Sequence, residues 1–277
     1  MYIGIPIWSK NMKREEKRYQ QKFDLLGELD NYTTVESKLS YDSTVAKQMA
    51  LFSALVYLSD DKSLVKSYLK KYNGVAYFYD CDDTEAMIFK TGKSIIVSFR
   101  GTEPTEMKDV MTDLNIIPRK GEKQGIVHSG FANALDKIWD NVQFTIDRIY
   151  RRGDTVYFTG HSLGGALATV AAARSKYIGQ VYTFGQPRVG NKEYAKNVKS
   201  KIYRHVAGAD IVPSVPLGLI YKHMGQCYFV EDGCAPIKSD WRFTLKRMKC
   251  RIRSLFSWRP LFRLIKDHDI TYYYRNL

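Results

Sequence analysis

Residues 155–165 read Thr-Val-Tyr-Phe-Thr-Gly-His-Ser-Leu-Gly-Gly. A β-rich apolar run drives straight into Gly-His-Ser-Leu-Gly-Gly, and the small apolar stretch Ala166 to Ala173 that follows reads as a helix. A strand that turns directly into a helix at Gly-x-Ser-x-Gly sets its serine, here Ser162, on a sharp elbow with the hydroxyl clear of the backbone. A side chain at Gly160 or Gly164 would crowd that elbow, and Gly165 lets the helix lie close on the sheet. The bare five-residue pattern arises by chance in about one chain of this length in ten. The strand and Ala-rich helix on either side are what make it specific.

Strand-like runs at Val75–Tyr79, Ala86–Lys90, Ser94–Phe99, Gln180–Phe184 and Lys201–Val206 alternate with stretches of helical spacing. The helical stretches are residues 44–71 (Val45, Met49, Phe52, Leu55, Val56, Leu58) and 129–151 (Phe131, Leu135, Ile138, Val142, Ile146). Such alternation predicts an α/β fold with a largely parallel sheet covered on both faces, the early strands supplying an antiparallel portion. At 277 residues and 44% apolar content the chain has enough core for one α/β domain spanning 1–277. Residues 1–43 form a charged and polar N-terminal extension, with helix-prone sequence over 10–30. A basic stretch, 241–266, is inserted before the last histidine.

A serine needs a base, and the base needs an orienting acid. In the hydrolase order these follow as serine, acid, histidine. His128 and His161 precede Ser162, and His161, next to it, should point the other way. His205 sits in an alternating strand run, His223 in an apolar run, and His268 in the polar break Asp-His-Asp before Ile-Thr-Tyr-Tyr-Tyr. A base belongs on a loop at the sheet's carboxyl edge, which favours His268 and leaves His223 as the alternative. Among Glu193, Asp210, Glu231, Asp232, Asp240 and Asp267, Asp210 stands out. It follows a strand and a Gly-Ala bend and leads into Ile-Val-Pro. Asp267 adjoins His268, but its side chain should project elsewhere.

Five segments in order resemble the class 3 lipase family of α/β-hydrolases. They are Val97-Ser-Phe-Arg-Gly-Thr-Glu103, Val127-His-Ser-Gly-Phe131, Thr159-Gly-His-Ser-Leu-Gly-Gly165, Thr183-Phe-Gly-Gln-Pro-Arg-Val-Gly-Asn191 and Asp210-Ile-Val-Pro213. His268 with Tyr272-Tyr273 is similar to the family's terminal histidine motif. The likeness runs over roughly residues 75–275. It implies an α/β-hydrolase fold and a Ser162–His268–Asp210 triad. It also implies an oxyanion hole from the backbone N–H groups of Thr102 and Leu163, with the Thr102 hydroxyl as a further donor. His223 matches a family position that is not catalytic. The segment after Thr102 would be a lid, with Asp113-Leu114 matching its end. Where the family often has a tryptophan the chain has Val110. The lid's apolar residues, Met107, Val110, Met111 and Leu114, are few and small, which weakens the expectation of interfacial activation.

The formal net charge of +14 implies attraction to something anionic. From Trp241 to Lys266 there are nine basic residues and no acid, among them Arg242, Lys246, Arg247, Lys249, Arg251 and Arg253. Trp241, Leu245, Met248, Ile252 and Leu255 recur at helical spacing until Pro260 interrupts. The stretch reads equally as a cationic amphipathic helix lying on an anionic bilayer and as a helix that covers the core and shows its charges to water. No nucleic-acid recognition motif accompanies the charge, so specific nucleic-acid binding is not expected.

Cys81, Cys227, Cys234 and Cys250 lack the paired short spacings of a zinc site, and neither metal nor organic cofactor is expected. Cys227 and Cys234 have the spacing to pair in an oxidising compartment, although free thiols are the simpler expectation. No apolar run reaches membrane-spanning length. The start Met-Tyr-Ile-Gly-Ile-Pro-Ile-Trp lacks a basic leader and a cleavage site, which favours an intracellular location, and the basic stretch is what suggests peripheral membrane contact. The expected activity is hydrolysis of lipid carboxylic esters. A catalytically silent membrane-binding module and an acyltransferase with the same triad are the alternatives. Ester class, compartment and oligomeric state are not fixed by the sequence.

Overall fold

Val97, Phe158, Val181 and their strand neighbours are buried on both faces of a sheet, and this is what near-continuous β-branched and aromatic runs predict. The computed structural model describes residues 27–28, 40–102, 117–216, 218–231, 234–239, 244–245, 247–250 and 267–277. Ten strands lie in that part of the chain: β1 (Val75–Cys81), β2 (Thr84–Thr91), β3 (Ser94–Phe99), β4 (Pro118–Lys120), β5 (Ile126–His128), β6 (Thr155–His161), β7 (Gln180–Phe184), β8 (Lys201–Ala207), β9 (Gln226–Glu231) and β10 (Cys234–Lys238). The described helices are α1 (Ser43–Leu55), α2 (Lys62–Lys70), α3 (Ser129–Asp136), α4 (Trp139–Ile149), α5 (Leu163–Arg174) and α6 (Ile270–Arg275). Residues 244–245 and 247–250 are also helical.

The main sheet has eight strands in the order β1-β2-β3-β6-β7-β8-β9-β10, and β4 and β5 form a separate pair. The first two pairings, β1–β2 and β2–β3, are antiparallel. From β3 through β6, β7 and β8 to β9 every pairing is parallel. β10 closes the edge as an antiparallel hairpin with β9. Sequence patterning put β3 and β7 at their observed bounds and the other expected strands within two residues. The β9–β10 hairpin lies outside the strands expected from sequence. Its available signal was the run Cys-Tyr-Phe-Val ahead of Glu-Asp-Gly, a hairpin turn composition.

Period-two alternation divides the core. Ile96, Tyr157, Tyr182, Tyr203 and Tyr228 face α1 and α6 on one side. Ile95, Val97, Phe158, Val181 and Ile202 face α3, α4 and α5 on the other. α1 is nearly all buried, so its polar residues are tied to the sheet. Ser53 Oγ bonds Thr159 Oγ1 at 2.8 Å, and the Phe52 carbonyl accepts from Ser98 Oγ at 2.8 Å. The single helical stretch expected over 44–71 is divided. A 3₁₀ turn at Val56–Asp61 intervenes, and Asp61 then caps α2. The stretch 129–151 likewise breaks at Lys137–Ile138 into α3 and α4. In both cases hydrophobic spacing marks the buried face but not the point where the axis must bend to follow the sheet.

α5 packs so close that its second residue is a glycine by necessity. A Cβ on Gly164 would lie 2.1 Å from the Phe99 carbonyl oxygen, and one on Gly160 2.3 Å from Gly164. Of the N-terminal extension the structure describes residues 27–28 and 40–43, and there Glu28 accepts from the Tyr274 hydroxyl at 2.6 Å. Cys227 is a buried free thiol and makes no disulfide. Among the described residues no helix is long and apolar enough to cross a membrane. Gly164→Ala should cost about 3 kcal/mol of stability or more, because backbone stands on the far side of the contact and cannot rotate away. Urea unfolding of the variant against the parent chain checks this.

Candidate active site

β3, β6, β7 and β8 run parallel, so their carboxyl ends meet at one edge of the sheet. In open α/β sheets that edge is where ligands bind. Thr102 follows β3, Ser162 follows β6, Gly185 follows β7 and Asp210 follows β8 by three residues. Ser162 sits at φ 55° and ψ −126°, left-handed backbone rare for a residue with a side chain. Its N–H donates to the Phe184 carbonyl at 2.9 Å, and its carbonyl accepts from Gly165 N–H at 3.0 Å, so both flanks of the elbow are tied down. Ser162 is buried, at 2% exposure.

Asp210 and His268 lie 58 residues apart in sequence and meet directly. His268 Nδ1 lies 3.0 and 2.9 Å from the two Asp210 carboxylate oxygens. A carboxylate can only accept, so Nδ1 carries the proton and Nε2 is left as the lone-pair nitrogen. His268 Nε2 is buried and has no hydrogen-bond partner among the described residues. That is the atom a general base would use. Gly185, at φ +61°, fills the crease beneath the pair. A Cβ there would lie 2.7 Å from His268 Cε1 and 2.8 Å from Asp210 Oδ2.

The fully buried Asp210 carboxylate has further donors. Tyr273 Oη donates to Oδ2 at 2.5 Å and itself accepts from Ala207 N–H at 3.0 Å. Val212 N–H donates to Oδ1 at 2.9 Å. Burial and the Asp210 charge push the Tyr273 phenol well above its ordinary range, so it remains a donor. Asp267 turns away from His268 and accepts from Ala209 N–H at 2.7 Å, which fixes the bend leading into Asp210. Sequence reasoning did not assign Tyr273 or Asp267 these roles. Tyr273 lies on α6, five residues past His268, and only the return of α6 beneath β8 brings its hydroxyl to the acid.

The other histidines are held as structural groups. His205 contacts the Thr183 carbonyl at 3.2 Å and Tyr41 Oη at 3.2 Å, and burial lowers its pKa to about 3. His223 donates from Nε2 to the Pro213 carbonyl at 2.7 Å, and burial together with Arg204 lowers its pKa to about 2. His128 caps α3 by accepting from Gly130 N–H at 3.2 Å, and burial lowers its pKa to about 4. His161 was expected to point away from the site. Its ring instead lies 4.4 Å from the His268 ring, and its Nε2 donates to the His268 carbonyl at 2.5 Å. Strand alternation explains this. His161 shares the face of Tyr157 and Thr159, the face on which α6 and the loop before it are packed. Tyr57 Oη holds the other nitrogen at 3.0 Å.

The expected oxyanion donors belong to Leu163, directly after the serine, and Thr102, one residue past Gly101. Leu163 is the first residue of α5, so its N–H has no partner within the helix and sits at the positive end of the helix dipole. The β3 strand end is drawn against the elbow at Gly101, where a Cβ would lie 3.2 Å from the Ser162 Cβ and 2.4 Å from the His161 carbonyl. Thr102 is the next residue. The lid residues Met107, Val110, Met111, Asp113 and Leu114 fall outside the described residues. So do Arg242, Lys246, Arg251 and Arg253 of the basic stretch. Arg247, expected at a charged outer surface, turns inward and donates to the Asp210 carbonyl at 3.1 Å and to Ser214 Oγ at 3.2 Å. Lys249 is exposed. Among the described residues no group of His, Cys, Asp and Glu is arranged to hold a metal.

An α/β-hydrolase sheet with a serine elbow and an Asp–His pair at its carboxyl edge defines the class of this protein. Residues 96–219 match the model of the class 3 lipase family. It is 35% identical to secreted mono- and diacylglycerol lipase 1 of Fusarium solani over 164 residues, covering 54% of this chain and 47% of that protein. It is 28% identical to a lipase of Rhizomucor miehei over 228 residues, covering 75% of this chain and 59% of that one. The solved Rhizomucor miehei lipase propeptide complex matches with a TM-score of 0.59 at 22% identity over 73% of each chain, a likeness of fold. The chain spans about half the length of the curated relatives it matches.

Replacing Tyr273 by Phe removes a hydrogen bond to an ionised acceptor, worth about 1.5–3 kcal/mol. Tyr273→Phe should therefore lower kcat about 10- to 100-fold with little change in KM. Steady-state kinetics on a soluble ester, with a melting curve alongside, checks the effect.

Proposed function

We propose that the chain is a serine carboxylic ester hydrolase that acts on lipid esters through an acyl-enzyme on Ser162. The observation that carries this reading is the buried Asp210–His268 pair beside the Ser162 elbow, with Nδ1 held by the acid and Nε2 unoccupied. The lipase names of the similar proteins support the lipid ester class.

His268 Nε2 accepts the Ser162 hydroxyl proton as Oγ attacks the ester carbonyl. Asp210 keeps the ring in the tautomer that leaves Nε2 free and stabilises the imidazolium once it forms. The Leu163 and Thr102 N–H groups face the developing oxyanion, and each such donor lowers the barrier by about 2.7–4 kcal/mol. His268 returns the proton to the leaving alcohol. A water then enters, gives a proton to His268 and attacks the acyl carbon. Collapse of the second intermediate releases the acid and restores Ser162.

His223 is a poor rival as base in this reading. Its Nε2 is committed to the Pro213 carbonyl, and three arginines oppose its protonation. Ser162→Ala should reduce turnover of a panel of acylglycerol, phospholipid and soluble esters to background, about 10⁴- to 10⁶-fold. His268→Ala should match it, while His223→Ala should retain turnover per folded molecule. Activity surviving in Ser162→Ala, or equal losses at the two histidines in folded protein, would overturn the reading.

A further inference from the structure

Three guanidinium groups gather behind the loop that carries Asp210, and none has a carboxylate partner among the described residues. Arg188 lies just past β7, Arg204 is on β8, and Arg247 is in the helical stretch 247–250. Arg204 is buried at 7% exposure and gives its Nε–H to the Met224 carbonyl at 2.9 Å. Arg188 donates from one terminal nitrogen to the Ser214 and Pro216 carbonyls, the latter at 2.7 Å. Arg247 reaches the same Ser214 through its hydroxyl, at 3.2 Å. A single residue thus brackets two of the guanidiniums. Arg247 Nε is buried and has no acceptor among the described residues. His223 Nδ1, on the same side, is likewise buried without a partner.

Charge is the unusual part of this arrangement. No salt bridge among the described residues includes Arg188, Arg204 or Arg247, although the partly buried Lys90, Arg100 and Arg174 all find acids. Buried charges in proteins are normally paired. These three repel one another: burial, and then Arg247, lower the Arg188 pKa, and burial with Arg247 and Arg188 lowers that of Arg204. Neutral carbonyls satisfy some of their N–H groups but leave the net positive charge in place. A planar guanidinium fork matches the oxygens of phosphate, and several together match a tetrahedral oxyanion better than a single carboxylate.

We propose that Arg188, Arg204 and Arg247 form a binding site for a phosphate-class oxyanion, beside the catalytic loop and distinct from the serine site. The anion supplies the missing negative charge and the missing acceptor at Arg247 Nε. Because Arg247 also holds the Asp210 carbonyl, an occupied site stiffens the loop on which the acid stands. The phosphate is either the headgroup of an anionic lipid or the free ion. The site needs no ester hydrolysis, so its test is separate from that of the hydrolase reading.

The test titrates the 277-residue chain with inorganic phosphate by calorimetry, against sodium chloride at equal ionic strength. The expected result is saturable binding at one site per chain, with a melting midpoint several degrees higher in phosphate than in chloride. Arg188→Gln, at a half-buried position, should weaken phosphate binding at least tenfold, and Arg247→Gln should do the same. Displacement of phosphate by phosphatidic acid vesicles, and not by phosphatidylcholine vesicles, assigns the site to a lipid headgroup. Phosphate binding that neither vesicle displaces assigns it to the free ion. Absence of saturable binding in the folded parent chain overturns the proposal, as does undiminished binding in both folded variants.

Discussion

Four neighbouring parallel strands ending at one edge of the sheet form the constraint on which the rest of the site depends. β3, β6, β7 and β8 hold the register Phe99↔Gly160, Gly160↔Thr183 and Thr183↔Arg204. Each then delivers a different element within a few residues of its end. Those elements are Thr102, Ser162, Gly185 and Asp210. The contacts are too close for anything larger than glycine at Gly160, Gly164 or Gly185. A shift of one residue in any strand would turn its side chains to the opposite face and empty the edge.

Around that edge the structure spends buried polar groups on holding others still. Asp210 accepts from His268, Tyr273 and Val212, and the bend before it is fixed by Asp267. His268 is gripped at both ends: Asp210 holds its ring, and His161 holds its backbone carbonyl. Burial keeps His161, His205 and His223 neutral, so they serve as fixed hydrogen-bonding groups. The cationic groups on the far side of the 210–216 loop donate into its carbonyls. Rigidity of this kind is what a proton-transfer site requires, because a small misplacement of base or acid is costly in rate.

Much of the fold was legible in the sequence. The elbow, the buried strands and the two-sided covering follow from composition and period, and β3 and β7 were read to the residue. What escaped was set by distant packing. The break of the 44–71 stretch at Val56–Asp61 depends on the path α1 must follow over the sheet. The β9–β10 hairpin was not read, although the short apolar run Cys-Tyr-Phe-Val and the Glu-Asp-Gly turn stood in the sequence. At the site, residue types in chain order singled out Ser162, Asp210 and His268 as the proposed triad, and the contacts that hold Asp210 and His268 together with their neighbours were out of reach. Tyr273 was visible as part of a terminal motif, yet its bond to Asp210 spans 63 residues. Arg247 read as one charge on an outward face, whereas three-dimensional packing turns it toward the acid loop. Local pattern reports which face is apolar and cannot report which long side chain reaches back across it.

The central claim is that Ser162 is a nucleophile activated by His268. Labelling of the folded chain with a serine-directed fluorophosphonate, followed by mass spectrometry of the digested protein, tests it most directly. The account predicts one phosphonyl adduct per chain, on the peptide containing Ser162, with the rate collapsing in folded His268→Ala. An adduct on another residue, or an undiminished rate of labelling in that variant, would contradict it.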